Sequence, residues 1–206
     1  MLHDISLAID NDTVTWPTDP KLRLHPVLRM AEGAPLNLTK FESCVHVGTH
    51  FDAPWHFIDA GAKSHDVPLE AFLGRAYVAE IGDVPAIERR HVERLPLGEI
   101  ERVLFKTRNS ALLKEPVFRQ DFTYVSGAAA RYLAEFPIKL VGIDYLSIDQ
   151  FGTPDFPAHH ALLGKNIAIV EGVDLTGIGE GWYELICLPM KITGADGAPV
   201  RAVLRD

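Results

Sequence analysis

Three histidines and one aspartate fall within eleven positions, His46, His50, Asp52 and His56, in the segment SCVHVGTHFDAPWHF (43–57). Neutral imidazole nitrogens and a carboxylate, with no thiolate among them, are donors suited to zinc or another first-row divalent ion. All four occupy even positions, so on an extended segment they point to one face. The helical alternative, an H-x-x-x-H metalloprotease site, wants a glutamate directly after the first histidine, and that position is Val47. Gly48 and Pro54 also oppose a helix through the cluster.

This segment supplies three or four ligands at most, so a second source is expected. The stretch PAHHALLGKNIAIVEGV (157–173) offers one. His159 and His160 follow a proline-rich loop, and Glu171 ends an otherwise apolar run. A lone carboxylate in such a strand is costly to bury, and a metal removes that cost. Either histidine of the pair fits the ligand position.

These groups need a scaffold. Short runs rich in Val, Ile and Leu, bounded by turn residues, predict buried strands at 75–82, 102–107, 138–144, 166–173 and 183–192. HDISLAI (3–9) and KFESCVHVG (40–48) read as further strands, the second feeding the histidine cluster. Helical spacing appears at 85–95 and at 126–136, the latter opening on Ser126 as N-cap and stopping before Pro137. The expected fold class is therefore α/β, one domain over residues 1–206, with a mixed β-sheet core and two or three helices. Fourteen prolines and sixteen glycines imply long shaped loops, of which 17–26 and 150–160 are the most conspicuous.

Composition narrows the function classes. With 206 residues, 47% of them hydrophobic, the chain can bury a core without disulfides or a structural metal. Its net charge of −8 and lack of a basic run argue against nucleic acid. No apolar stretch approaches the length of a membrane span, and the N-terminus lacks the pattern of a secretory signal, so a cytoplasmic location is expected. Cys44 and Cys187 read as reduced thiols in apolar surroundings. The glycines of GIGEG (177–181) precede a strand instead of opening a helix, which is the wrong context for a phosphate cradle.

HVGTHFDAPWHF resembles the H-x-G-T/A-H-x-D-x-P-x-H motif of the cyclase-like metal-dependent hydrolases, a family that includes kynurenine formamidases and isatin hydrolases. The similarity extends through HDISLAIDNDTVTWPTD, LVGIDYLSID, AHHALLGKNIAIVEGV and YELICLPMKITGADGAPVRAVLR. The resemblance implies a swivelling β/β/α-type fold, a homodimer or homotetramer, and one or two divalent ions, zinc first and manganese as the alternative. Carried onto this sequence, it gives His46, His50, Asp52, His159 and Glu171 as metal ligands, with Asp52 bridging. It gives His56 as the catalytic histidine and Trp16 as an aromatic lining the substrate pocket, with Trp55 and Phe57 as further stacking candidates.

The reaction this implies is hydrolysis of an aromatic amide, foremost N-formyl-L-kynurenine to L-kynurenine and formate. A bound divalent ion lowers the pKa of water from 15.7 toward about 7, providing hydroxide at neutral pH. An imidazole with an unperturbed pKa of about 6.5 can take a proton and return it to a leaving amine. Opening of an isatin-type lactam, a cyclic imide or a lactone needs the same hydroxide. A non-catalytic metal-binding protein is the third reading, and it leaves His56 without a task.

Overall fold

Seven strands close into a ring in the computed structural model, which describes all residues from Met1 to Asp206. The first half of the chain carries β1 (Leu2–Asp4), β2 (Arg23–Leu28), β3 (Leu38–Glu42), β4 (His50–Asp52), β5 (Leu73–Gly82), β6 (Ala86–Ile87) and α1 (Arg89–Val92). Then come β7 (Arg102–Thr107), α2 (Asn109–Leu112), β8 (Tyr124–Val125), α3 (Gly127–Leu133) and β9 (Leu140–Ile143). The chain ends with α4 (Pro157–Leu163), β10 (Ala168–Glu171), β11 (Gly181–Pro189) and β12 (Gly197–Arg205). The ring runs β12-β11-β5-β7-β9-β10-β4 and closes where β4 pairs with β12. From β5 through β10 the neighbours are parallel; the other pairings are antiparallel.

The alternating strand pattern sorts side chains onto two faces. Phe51, Val78, Leu104, Leu140, Val170, Leu185 and Ala198 meet in one core inside the ring. Val103, Phe105, Val141, Ile143 and Ile169 face the other way into a second core, closed by Val92 of α1, Leu133 of α3 and Leu162 of α4. The helices thus cover only the parallel half of the sheet, as expected for crossover connections. The α/β class with a mixed sheet is what the sequence predicts. No helix is long and apolar enough to cross a membrane, and both cysteines are free.

Several elements differ from the sequence reading. HDISLAI forms only the short β1, followed by a single bridge between Ser6 and Val173. The strand predicted over 40–48 stops at Glu42 and pairs with β2 in a two-stranded ribbon outside the ring. The expected helix at 85–95 shrinks to one turn, α1, because Ala86 and Ile87 are taken up in pairing with β8. Ser126 does cap α3, accepting the Ala129 N–H at 3.2 Å. The stretch 157–163, read as the end of a loop, is helix α4. The C-terminal strand belongs to its own sheet, where β12 pairs with β1, β4 and β11.

Candidate functional site

Strand β4 is only three residues long, yet its place at the ring closure decides where the cluster forms. Phe51 points into the inner core, so His50 and Asp52 on either side of it face outward. Glu171 lies opposite His50 on β10, and Ile169 opposite Asp52. Cross-strand partners share a face, so His50 and Glu171 stand side by side. Gly197 of β12 lies opposite Asp52 on the other side, and a Cβ there would come 2.9 Å from His46 Cε1. A glycine at this position leaves the space that the His46 ring occupies.

The four even-numbered residues do not share one extended segment. Gly48 takes a positive φ of 60°, where a side chain would also strike Ile9. Pro54 begins a single 3-10 turn, Pro54–His56. The convergence comes from two changes of direction flanking a short strand, so His46 and His56 fold back onto one another. Their rings stack with centroids 4.1 Å apart.

His159 comes from α4. Asp149 caps the first turn of this helix, accepting the backbone N–H groups of Ala158 and His159 at 2.9 and 3.0 Å. The same carboxylate accepts His159 Nδ1–H at 2.7 Å. His159 Nε2 then lies 3.4 Å from Asp52 Oδ2 and 3.3 Å from Glu171 Oε1. His50 is anchored in a similar way, its Nδ1 donating to the Gly48 carbonyl at 3.1 Å. Its Nε2 stands 3.5 Å from Asp52 Oδ1 and 3.6 Å from Glu171 Oε2. His160, the neighbour that the sequence could not separate from His159, is exposed on the outer side of the helix.

His50, Asp52, His159 and Glu171 are all buried. Asp52 Oδ2 accepts no hydrogen bond. Two bare imidazole nitrogens facing two carboxylates without a cation between them would be strongly unfavourable. The separations of 3.3–3.6 Å are close to the edge of a tetrahedron with bonds of 2.0–2.1 Å, which is roughly 3.3 Å. The donor set and its spacing therefore fit a divalent ion. His46, Asp52 and His56 form a second such group, and Asp52 belongs to both.

Charge in the cluster follows from these contacts. Burial opposes a charge on His46, but bonds to Asp196 and Asp52 outweigh it and push its pKa up to about 10. His159 is likewise disfavoured as a cation by burial, yet Asp149, Asp52 and Glu171 hold its pKa well above the usual value. Burial pushes His50 down. Burial would raise Asp52, but the His159 and His46 imidazoles beside it keep it well below the ordinary carboxylate range. Protons stand here where a metal could stand.

A cavity of about 230 Å³ opens onto the cluster. Trp16, Phe57 and Phe156 form apolar walls, with Thr15, Asp19 and Ser147 as polar ones. Trp16 is braced edge-on by Phe118, 5.1 Å between centroids, and tilted against Phe151 at 5.3 Å. Phe57 stacks on His159 at 4.3 Å. Trp55, a stacking candidate by sequence, is not in the wall; it packs under the Lys63 ammonium instead.

Two carboxylates at the cluster carried no sequence signal. Asp149 in SIDQFG and Asp196 in TGADGA sit among turn-forming residues, where aspartate is ordinary. Asp196 lies 2.9 Å from His46 Nε2 and 3.1 Å from His56 Nδ1. Their proximity to the histidines is visible only once the ring is closed.

The model of the cyclase family matches residues 3–150. The kynurenine formamidase of Salinibacter ruber is 39% identical over 207 aligned positions, covering 100% of this chain and 97% of that protein. A solved structure described as a potential metal-dependent hydrolase with cyclase activity superposes with a TM-score of 0.87 at 30% identity, covering 99% of this chain and 96% of its own. An isatin hydrolase bound to the product analogue thioisatinate superposes with the same TM-score at 20% identity, over 98% of this chain and 91% of its own, a likeness of fold.

Proposed function

Since the chain belongs to the cyclase family, we propose that it is a metal-dependent amide hydrolase that converts N-formyl-L-kynurenine and water to L-kynurenine and formate. The observation that carries this reading is the junction of two unlike surfaces in one cavity. A buried set of imidazoles and carboxylates forms its floor, and Trp16, Phe57 and Phe156 form walls suited to a flat aromatic ring. The curated relative that covers the chain end to end carries the same activity in its name.

His50, Asp52, His159 and Glu171 hold a divalent ion in this reading, with His46 and Asp52 available to a second. Zinc suits imidazole and carboxylate donors without thiolate, and manganese is the alternative. Such an ion, when bound, acidifies water toward neutral pH and polarises a carbonyl oxygen. The protein's own residues do the rest. Trp16 and Phe57 fix the aryl ring so that the formyl group lies over the cluster. His56, half-buried at the cavity wall with Nδ1 bonded to Asp196, keeps Nε2 for proton transfer. It takes a proton as the carbonyl is attacked and returns it to the anilide nitrogen as the C–N bond breaks.

The test is hydrolysis of N-formyl-L-kynurenine and of isatin by one sample, with metal content measured on that sample. Preference for the formamide, lost on chelation and restored by zinc or manganese, is the expected result. Preference for isatin would move the assignment to lactam opening, and no hydrolysis of either by a metal-loaded sample would refute the reading. A homodimer or homotetramer and a cytoplasmic setting belong to the same proposal. The exposed apolar ribbon of β2 and β3 supports the first, and the two free thiols support the second.

A further inference from the structure

One oxygen, Asp196 Oδ2, faces two imidazoles through opposite nitrogens: His46 Nε2 at 2.9 Å and His56 Nδ1 at 3.1 Å. A carboxylate only accepts, so each nitrogen bonded to it carries a proton. In a neutral His56 ring the other nitrogen, Nε2, is then bare, whereas His46 meets a carboxylate at both nitrogens and donates from each. His46 Nδ1 is the atom facing Asp52 Oδ1, at 2.8 Å. The two rings, stacked 4.1 Å apart and inclined by 27°, are thus tied at one shared point.

The backbone keeps that point in place. The Asp196 carbonyl accepts the Ala53 N–H at 2.9 Å, and the carbonyl of Ala195 accepts Ser64 N–H at 2.9 Å. Gly197 follows directly, opposite Asp52 and too close to Phe51 O and the His46 ring to carry a side chain. Residue 196 is therefore anchored to the strand segment that bears the histidines, and its carboxylate cannot drift from them without breaking the start of β12.

We propose that Asp196 is a positioning residue that ties two stacked histidines at one oxygen and selects the tautomer of His56, holding His46 Nδ1 toward Asp52 and leaving a bare His56 Nε2 toward the substrate. It does not touch the reacting atoms. It acts by fixing the orientation of both rings and keeping the bare nitrogen of His56 where that ring is used, much as an outer carboxylate orients a metal-bound or basic histidine. The catalytic use of His56 rests on the hydrolase reading above; the tautomer assignment does not.

Imidazole 15N NMR of the metal-free, chelated protein tests the assignment without any substrate. His56 in the wild type is expected to show protonated Nδ1 and bare Nε2, and Asp196→Ala to shift it to the Nε2-protonated form. Asp196→Glu, which keeps a carboxylate, is expected to retain the wild-type signature. In turnover, Asp196→Ala should lower kcat by about 10- to 100-fold with KM within about threefold, and Asp196→Glu should recover part of the loss. A wild-type His56 protonated at Nε2 overturns the proposal even if the alanine variant fails to fold. So does an unchanged His56 spectrum or an unchanged kcat in a folded alanine variant. Should the wild type hydrolyse neither formamide nor lactam, the functional reading falls and the tautomer signature still decides the role of Asp196.

Discussion

Asp149 holds His159 twice, through the backbone N–H at the start of α4 and through the ring Nδ1 at 2.7 Å. One carboxylate therefore places the helix and aims the imidazole it carries. Nε2 of His159 faces Asp52 and Glu171 because Nδ1 is already committed.

Replacing Asp149 with alanine should accordingly damage two properties at once. Loss of an outer-shell partner typically weakens metal affinity by about 10- to 100-fold, and loss of a helix cap costs about 1 kcal/mol. Competition against a calibrated chelator reads the first, and urea denaturation of the metal-free protein reads the second. Wild-type metal affinity in Asp149→Ala would show that His159 does not depend on it.

His56 and Asp52 should separate binding from chemistry. His56 stands at the cavity wall with one nitrogen on Asp196, whereas Asp52 is buried at the junction of both donor groups. His56→Ala is expected to keep its metal and lose about 10²- to 10⁴-fold in kcat. Asp52→Ala is expected to lose the metal as well. Metal analysis beside turnover distinguishes the two, and full activity in His56→Ala would remove it from the reaction.

Much of this site is legible in the sequence because its donors are concentrated and chemically unusual. The spacing from His46 to His56 and the buried Glu171 of an apolar run mark the cluster without any structure. What escapes is set by long-range closure. The pairing of β4 with β12 brings Asp196 from 140 positions away onto His56, and no local pattern announces that contact. The same holds for Asp149, whose meaning depends on α4. That helix hides in a run with proline at its first position, which fits an N1 site as well as a loop. The histidine segment itself is misread as one extended face, since period-two counting cannot see the positive φ at Gly48 or the turn after Pro54. The α/β class survives these errors because it depends on strands β7, β9 and β10, which are buried on both faces.

The metal-free protein should lose stability as pH rises through the alkaline range. Burial opposes the His46 cation, but Asp196 and Asp52 outweigh it and place its folded pKa at about 10, above an unfolded value of about 6.5. A raised pKa stabilises the fold fully below the unfolded value, and that contribution disappears as pH passes the folded one. The Tm of chelated protein is thus expected to fall between about pH 7 and pH 10 more than that of His46→Gln. Affinity for zinc should rise over the same interval, because the metal displaces the proton. Parallel melting curves for the two proteins would contradict the assignment.

The ribbon of β2 and β3 poses a different physical problem. Every residue of β3 is exposed, as are all but one of β2, and Val27, Leu28, Leu38 and Phe41 present apolar side chains to water. A two-stranded ribbon is marginal on its own, and exposed apolar side chains on it fit an interface. The ribbon's two ends run directly into the site, Val14–Asp19 on one side and His46 on the other. A partner that orders the ribbon should therefore order the cavity wall that includes Trp16. Light scattering is expected to give a dimer or tetramer for the wild type, and Leu38→Ser with Phe41→Ser is expected to shift it toward monomer. The same double variant should raise KM for an aromatic amide while retaining its metal, since the donor set lies in the ring and not in the ribbon. A monomeric wild type, or a monomeric variant with unchanged KM, would sever the ribbon from the site.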